Sequence, residues 1–283
     1  MIQELDTIVS DVVMETEDSA TIFLSTGEEL PEYQAGQFLT VDPHQFPALE
    51  RWCQYLELLK GRKEPARAYS MSSAPHEKYV SFTVKEDIFY PGETKYPPLL
   101  SPLLTYRIPI GSKMKIKGYT GSYVVDEAIQ NGCDHILHLC AGSGIVPNYA
   151  IIKDELKNGS NIKHTLIFTN KTWDDIIFRD SLNKLAADHP DKVKVIHTIT
   201  REENNELKSK GVHFGRPDID FIKSQINDID STVAFVCGPA ITGIEKKKAK
   251  EAGVEPTPRF VNTMLEYVEE IGIPDERVKK ESW

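Results

Sequence analysis

Two rhythms of apolar and polar positions divide the chain. Up to about residue 125, short stretches of β-branched or alternating residues recur at 7–14, 20–25, 37–41, 67–72, 80–85 and 113–117. A period of two places every other side chain on one face, the mark of a half-buried strand. Turn residues, rather than long helical patterns, separate most of these stretches. Six such strands predict an antiparallel six-stranded Greek-key β-barrel. One stretch departs from the pattern: Phe46, Leu49, Trp52, Leu56 and Leu59 stand at helical spacing and predict a helical excursion over 46–63. Such a helix suits packing on the barrel wall, and it also suits capping a ligand or meeting a partner.

From about residue 134 the rhythm becomes strand then helix. Strand candidates at 135–140, 164–168, 193–199 and 233–237 alternate with helical stretches at 146–158, 175–188, 217–226 and 240–252. That alternation predicts an α/β domain with a parallel sheet and covering helices. The polar segment 126–134 separates the two patterns, so the expected domains are 1–128 and 134–283.

Composition narrows the chemistry. Of 283 residues, Lys and Arg supply 33 and Asp and Glu 43, a formal net charge of −10. Sequence-independent nucleic-acid binding needs a basic footprint, so no nucleic-acid partner is expected. No run of about 18 apolar residues predicts a membrane span. The first twenty residues carry acids where a secretion signal needs bases, which makes the cytoplasm the expected location. The four cysteines, Cys53, Cys133, Cys140 and Cys237, form no C-x-x-C pair, and the eight histidines are scattered. Tetrahedral zinc and iron–sulfur sites draw on closely spaced ligands, so no metal is expected.

The most informative segment is the apolar stretch His135–Ala141 followed by Gly142-Ser143-Gly144 and, three residues on, Pro147. Glycines let a backbone turn sharply and let a pyrophosphate approach main-chain N–H groups at a helix start. Proline is tolerated in the first helical turn because its missing N–H has no partner there. Alone, the pattern fits any tight strand-to-helix turn as well as a nucleotide site. His138 and Cys140 lie on the strand and read as core residues. In the first half, Arg67-Ala68-Tyr69-Ser70 offers a guanidinium for a diphosphate, a flat ring and a hydroxyl. Gly121-Ser122 offers a tight turn with N–H groups suited to phosphate. An edge strand and a hairpin turn account for the same residues.

Arg67-x-Tyr-Ser, Gly121-Ser122, Gly142-x-Gly-x-x-Pro147 and Cys237-Gly238-Pro239 occur in this order along nearly the whole chain. In that arrangement it resembles the ferredoxin–NADP reductase family, which pairs an FAD-binding barrel with a pyridine-nucleotide domain. The resemblance implies Arg67, with Ala68 beside it, and the Gly121-Ser122 turn on the FAD diphosphate. It implies Tyr69 against the isoalloxazine and the Ser70 hydroxyl near flavin N5. The backbone of Val84 and Lys85 would lie along the flavin. It implies Gly142, Ser143, Gly144 and Pro147 on the NAD(P) diphosphate, and Cys237, Gly238 and Pro239 near the nicotinamide.

The chain ends Glu281-Ser282-Trp283, similar to the Glu-x-aromatic end of plant-type members. That likeness implies a Trp283 ring over the flavin and a Glu281 that assists proton traffic. Thr169 and Lys171, then Thr200 and Arg201, stand where the family reads the ribose 2′-phosphate. They lean toward NADPH, while Glu202 and Glu203 beside Arg201 keep NADH open. The implied activity is hydride transfer from NAD(P)H to FAD, then single electrons to a separate carrier, a ferredoxin or an oxygenase component. Two alternatives stand beside it: a non-catalytic nucleotide-binding or electron-relay subunit of a larger complex, and an NAD(P)H-dependent flavin reductase.

Overall fold

The computed structural model describes every residue except 1, 2, 28–30, 92, 93, 95, 203 and 283. The chain forms two compact units, Met1–Ser122 and Tyr123–Trp283. The second unit therefore starts ahead of the expected boundary at 128–134. Tyr123 belongs to it through a hydrogen bond from its hydroxyl to Asn148, and a short helix opens after Asp126, whose side chain caps the Ile129 N–H.

The first unit is built on six strands: β1 (Gln3–Thr16), β2 (Ser19–Ser25), β3 (Phe38–Val41), β4 (Arg67–Ser70), β5 (Val80–Lys85) and β6 (Lys113–Thr120). Their order is β4-β3-β6-β1-β2-β5, antiparallel throughout. The two end strands meet at a Met71–Phe82 bridge, and the Ser72 N–H donates to Ser81 O at 2.8 Å. The sheet thus closes on itself, as the alternating pattern predicts. Alternate residues fill the interior: Val9, Ile22, Leu24, Leu39, Val41, Phe82 and Ile116 are buried. Fully burying such a side chain stabilises the fold by about 1.5–3 kcal/mol.

The helical excursion is real but shorter than predicted. Two single 3₁₀ turns at Pro43–Gln45 and Pro47–Leu49 precede α1 (Glu50–Lys60), which ends at Gly61 with φ 64°. Phe46, Leu49, Cys53 and Leu56 join the barrel core, so the helix packs on the wall. Tyr55, Leu58 and Leu59 point outward. Later, α2 (Ser101–Tyr106) buries Leu104 in the same core.

The second unit has α3 (Glu127–Gly132), β7 (His135–Ala141), α4 (Ile145–Lys157), β8 (Lys163–Asn170), α5 (Arg179–Asp188), β9 (Val193–Ile199), α6 (Asn205–Ser209), β10 (His213–Phe214), α7 (Ile219–Lys223), β11 (Thr232–Gly238), α8 (Gly243–Ala252), α9 (Phe260–Ile271) and β12 (Val278–Ser282). The sheet is parallel with order β10-β9-β8-β7-β11-β12. The chain begins in the middle at β7, runs outward through β8 and β9, then crosses to β11 on the other side. Cores form on both faces. Cys140, Leu166 and Phe168 pack with α4 and α5, whereas Leu137, Leu139, Ile167 and Val236 pack with α7 and α9. The predicted helix at 175–188 starts only at Arg179, because Phe178 sits at φ 58° and interrupts it. No described helix is long and apolar enough to cross a membrane. Among the described residues, no group of three or more His, Cys, Asp or Glu is placed to hold a metal ion.

Candidate functional site

In an open parallel sheet, loops at the carboxyl ends of two neighbouring strands splay apart where the strand order reverses, and that crevice is where ligands bind. Here the reversal lies between β7 and β11. The Gly142–Gly144 turn follows β7, and Pro239 follows β11. Gly142 adopts φ 54° with open space where a Cβ would stand, a conformation that glycine enters without strain. Gly144 has a different reason. A Cβ there would overlap the Cys237 carbonyl, so the turn rests directly on the β11 backbone. A Cβ on Gly238 would come 2.9 Å from the Phe260 ring. Gly144 and Gly238 therefore let the two strand exits lie against each other, while Gly142 supplies the left-handed turn.

α4 then begins with no side-chain cap and no acid in its first turn. The Ile145 N–H is taken by the Gly142 and Ser143 carbonyls of the preceding turn, and the helix dipole still favours an anion at this end. Pro147 stands in this turn, as predicted, and contributes no N–H.

Cys237 lies opposite Cys140 on β7 and opposite Glu281 on β12. It is fully buried. Burial, then Glu281 and Cys140, pushes its thiol well above the usual range. Glu281 lies within β12, a strand the sequence pattern does not reveal, because Lys279, Lys280 and Glu281 carry no apolar alternation. The reading of Trp283 falls outside the described residues.

The residues expected at the ribose separate into two groups. Thr169 is buried and its hydroxyl accepts from Thr198 at 2.7 Å, a cross-strand contact inside the sheet. Thr200 donates both its N–H and its hydroxyl to Asn170 O. Lys171 and Arg201 are exposed. Arg201 lines a cavity of about 330 Å³ at the ends of β9 and β10, with Ile199, Thr200, Glu202, Phe214 and Gly215. The Glu202 carboxylate is anchored there by the Trp173 N–H at 2.8 Å.

On the barrel, β4 pairs with β3 so that Arg67 faces Val41 and Ser70 faces Phe38. Tyr69 is half-buried, its ring centroid 5.4 Å from that of Phe82. Burial raises its phenol further above neutrality. The sequence does not reveal what holds Arg67. Its Nη2 donates to Glu64 Oε2 at 2.7 Å and its Nη1 to Pro65 O at 2.5 Å. Glu64 is buried, and its other oxygen accepts from Lys60 Nζ at 2.6 Å. Glu57 in turn accepts from the Glu64 N–H and from His44 Nε2. Arg67 is thus gripped from the barrel side through two of its five donors, which leaves the rest of the fork to an anion.

Ala68 is exposed between Arg67 and Tyr69. Gly121, at φ 123°, and Ser122 are exposed, and a Cβ on Gly121 would come 3.2 Å from the Phe38 ring. The side chains of Val84 and Lys85 are otherwise engaged, Val84 in the core and Lys85 on Asp18 at 2.5 Å. Only their backbone remains for a ligand.

A closed antiparallel barrel followed by a parallel sheet with a glycine turn at its switch point defines a two-domain class. Comparison with known proteins agrees. Residues 139–244 match the family described as the oxidoreductase NAD-binding domain. NADH-cytochrome b5 reductase 1 of Neosartorya fischeri is 32% identical over 198 residues, covering 67% of this chain and 59% of that protein. The chain spans less than two thirds of the length of the curated relatives it matches. Among solved structures, the flavohem-like FAD/NAD-binding domain of nitric oxide dioxygenase from Vibrio cholerae aligns with TM-score 0.72 at 18% identity, over 99% of this chain and 98% of that one. Ferredoxin–NADP+ reductase from Plasmodium falciparum aligns with TM-score 0.67 at 16% identity, over 99% and 96%. The chain shares the two-domain fold of these solved structures, and its residues 139–244 match the oxidoreductase NAD-binding domain.

Proposed function

We propose that the chain is an FAD-dependent oxidoreductase that takes a hydride from NAD(P)H and delivers single electrons to a separate carrier protein. The observation that carries this reading is the build of the switch point. A left-handed Gly142, an uncapped helix start and a Gly144 seated on Cys237 all fall within the stretch that matches the NAD-binding family. In this reading Gly142, Ser143 and the first turn of α4 hold the dinucleotide diphosphate through backbone N–H groups. Pro147 shapes that turn, and Gly238 and Pro239 shape the β11 exit beside it. On the barrel, Arg67 and the Gly121-Ser122 turn hold the FAD diphosphate, Tyr69 lays its ring beside the isoalloxazine, and Ser70 offers its hydroxyl. Bound FAD supplies the change from two-electron to one-electron chemistry. The Cys237 thiol is fully buried and pushed further toward its protonated form, so it packs between β7 and β12 rather than acting as a nucleophile. Glu281, placed opposite it on β12, is the acid available for proton traffic.

Lys171, Thr200 and Arg201 by themselves favour NADPH. The anchored Glu202 carboxylate in the same cavity as Arg201 repels a 2′-phosphate and suits a free ribose diol. The NADH named in the relatives supports the same choice, so NADH is the donor this reading favours. Those relatives are cytochrome b5 reductases by name, which supports a haem carrier ahead of a ferredoxin or an oxygenase component.

The test is reconstitution followed by turnover. The purified chain with added FAD should turn yellow, keep its flavin through gel filtration and reduce cytochrome b5 with NADH at higher kcat/KM than with NADPH. Failure to take up FAD overturns the reading. Loss of the flavin on the column favours a flavin reductase, and nucleotide binding without turnover favours a relay subunit. A preference for NADPH reverses the donor assignment.

A further inference from the structure

A buried polar chain runs beneath the Gly142–Gly144 turn. Asn148, near the start of α4, is completely buried. Its Nδ2 donates to Gly144 O at 2.7 Å. Its Oδ1 lies 3.0 Å from the Tyr123 hydroxyl and 2.7 Å from His138 Nδ1. The other nitrogen of His138, Nε2, lies 3.0 Å from His164 Nδ1, and the two rings stack with centroids 5.3 Å apart. His164 Nε2 is buried without a partner.

The proton order follows from what each atom can do. An amide oxygen only accepts, so Tyr123 and His138 Nδ1–H both donate to Asn148. A neutral imidazole carries one N–H, so His138 Nε2 is bare and accepts from His164 Nδ1–H. His164 Nε2 is bare in turn, and it is the end that has no partner. Burial keeps both rings neutral, lowering His138 to about 4 and His164 well below its usual value. Every proton of the chain therefore points toward the glycine turn.

We infer that Asn148 is a positioning residue for the dinucleotide, its amide aimed by Tyr123 and the His138–His164 pair so that the Gly144 carbonyl is held on the protein side of the turn. The inference rests on the reading of that turn as the dinucleotide site. A carbonyl oxygen facing a diphosphate repels it, whereas N–H groups attract it. The turn's own backbone bonds tie the Gly142 and Ser143 carbonyls to the Ile145 N–H, so the side-chain fix falls at Gly144. A buried amide with both ends occupied supplies that fix, because rotating it would strand buried polar groups.

Two measurements on the full chain test this. With ¹⁵N-labelled histidine, NMR should show His138 and His164 both neutral, both protonated at Nδ1 and bare at Nε2, without titration between pH 5.5 and 8. Finding Nε2–H on His138 would overturn the proton order and the inference with it. The dissociation constant for NADH should rise about tenfold in Asn148→Leu and about threefold in Tyr123→Phe, while the bound-flavin spectrum stays that of the parent. An unchanged constant in both variants would overturn the inference and leave the dinucleotide reading intact. If Asn148→Leu does not fold, Tyr123→Phe decides alone. A parent chain that binds neither NADH nor NADPH overturns the reading of the site, and the inference falls with it.

Discussion

In the proposed reading the two units grip anions by opposite constructions. The barrel's grip is a charged side chain: Arg67 is steadied by a buried carboxylate, Glu64, which Lys60 also holds. The grip in the α/β unit is neutral backbone, a glycine turn and a helix start, supported from below by an uncharged Asn148–His138–His164 chain. A charged grip depends on ion pairs and geometry at single atoms. A backbone grip depends on how closely two strands approach and on which way peptide groups face. The two should therefore fail under different substitutions and at different pH.

The largest effect is expected from Gly144→Ala. Its Cβ has no room against the Cys237 carbonyl, so the turn or β11 must move. Urea unfolding should show a loss of about 3 kcal/mol, with NADH binding lost as well. Gly142→Ala, with open space at its Cβ, should cost far less, the strain of a left-handed residue alone. Equal losses at the two positions would break the packing argument.

Acidification should separate the units next. His138 is neutral and buried, with a folded value of about 4 against 6.5 for the free group. The unfolded chain binds the extra proton between those values, so stability is intact above about pH 6.5 and falls as the pH drops toward 4. His138 alone accounts for about 3 kcal/mol over that range. The barrel runs the other way over the same range. Bonds to Asp42 and then Glu57 raise His44, so its contribution is complete below about pH 6.5 and fades as the pH rises through its folded value. Burial works against ionisation of Glu64, but Lys60 and Arg67 outweigh it and hold the carboxyl below its free value. Its contribution persists until the pH falls below about 4.5. Hydrogen exchange at pH 5 against pH 7 should show the α/β unit losing protection and the barrel keeping it.

Arg67→Ala should come after that, weakening FAD by about 1.5–3 kcal/mol, roughly ten- to a hundredfold, and leaving NADH binding to the α/β unit unaffected. Arg67→Lys should restore little, because a single ammonium cannot serve Glu64, Pro65 O and a diphosphate together. The smallest effect is expected at Lys85→Ala. It removes a half-exposed ion pair with Asp18 and should change stability by less than about 1 kcal/mol, with FAD binding preserved. A large loss of FAD there would show that the Lys85 side chain, rather than its backbone, serves the site.

What the sequence disclosed follows the same division. Six barrel strands were legible because alternation is a local signal, and the core strands β7, β8, β9 and β11 because apolar runs between helices are local too. β12 was not, since its polar residues become a strand only by pairing with β11. The helix α9 carries Val261, Met264, Val268 and Ile271 on its buried face, a helical spacing present in the sequence but not used there. Gly144 was legible as a special residue but not as a packing residue, because Cys237 lies far along the chain. In the sequence Glu64 is one more charge beside Lys60, Arg62 and Lys63. Its burial depends on Lys60 and Arg67 converging on it, which no spacing rule encodes. His138 was legible as a core residue, while its link to Asn148 and His164 needed the sheet register.

The account turns on a flavin held by the barrel and reduced by a dinucleotide held at the glycine turn. An anaerobic titration of the FAD-loaded chain with NADH, followed by absorbance, tests that most directly. The account predicts that the flavin bands bleach in proportion to added NADH and that Gly144→Ala abolishes the bleaching. Flavin bands that persist in excess NADH and excess NADPH would contradict it.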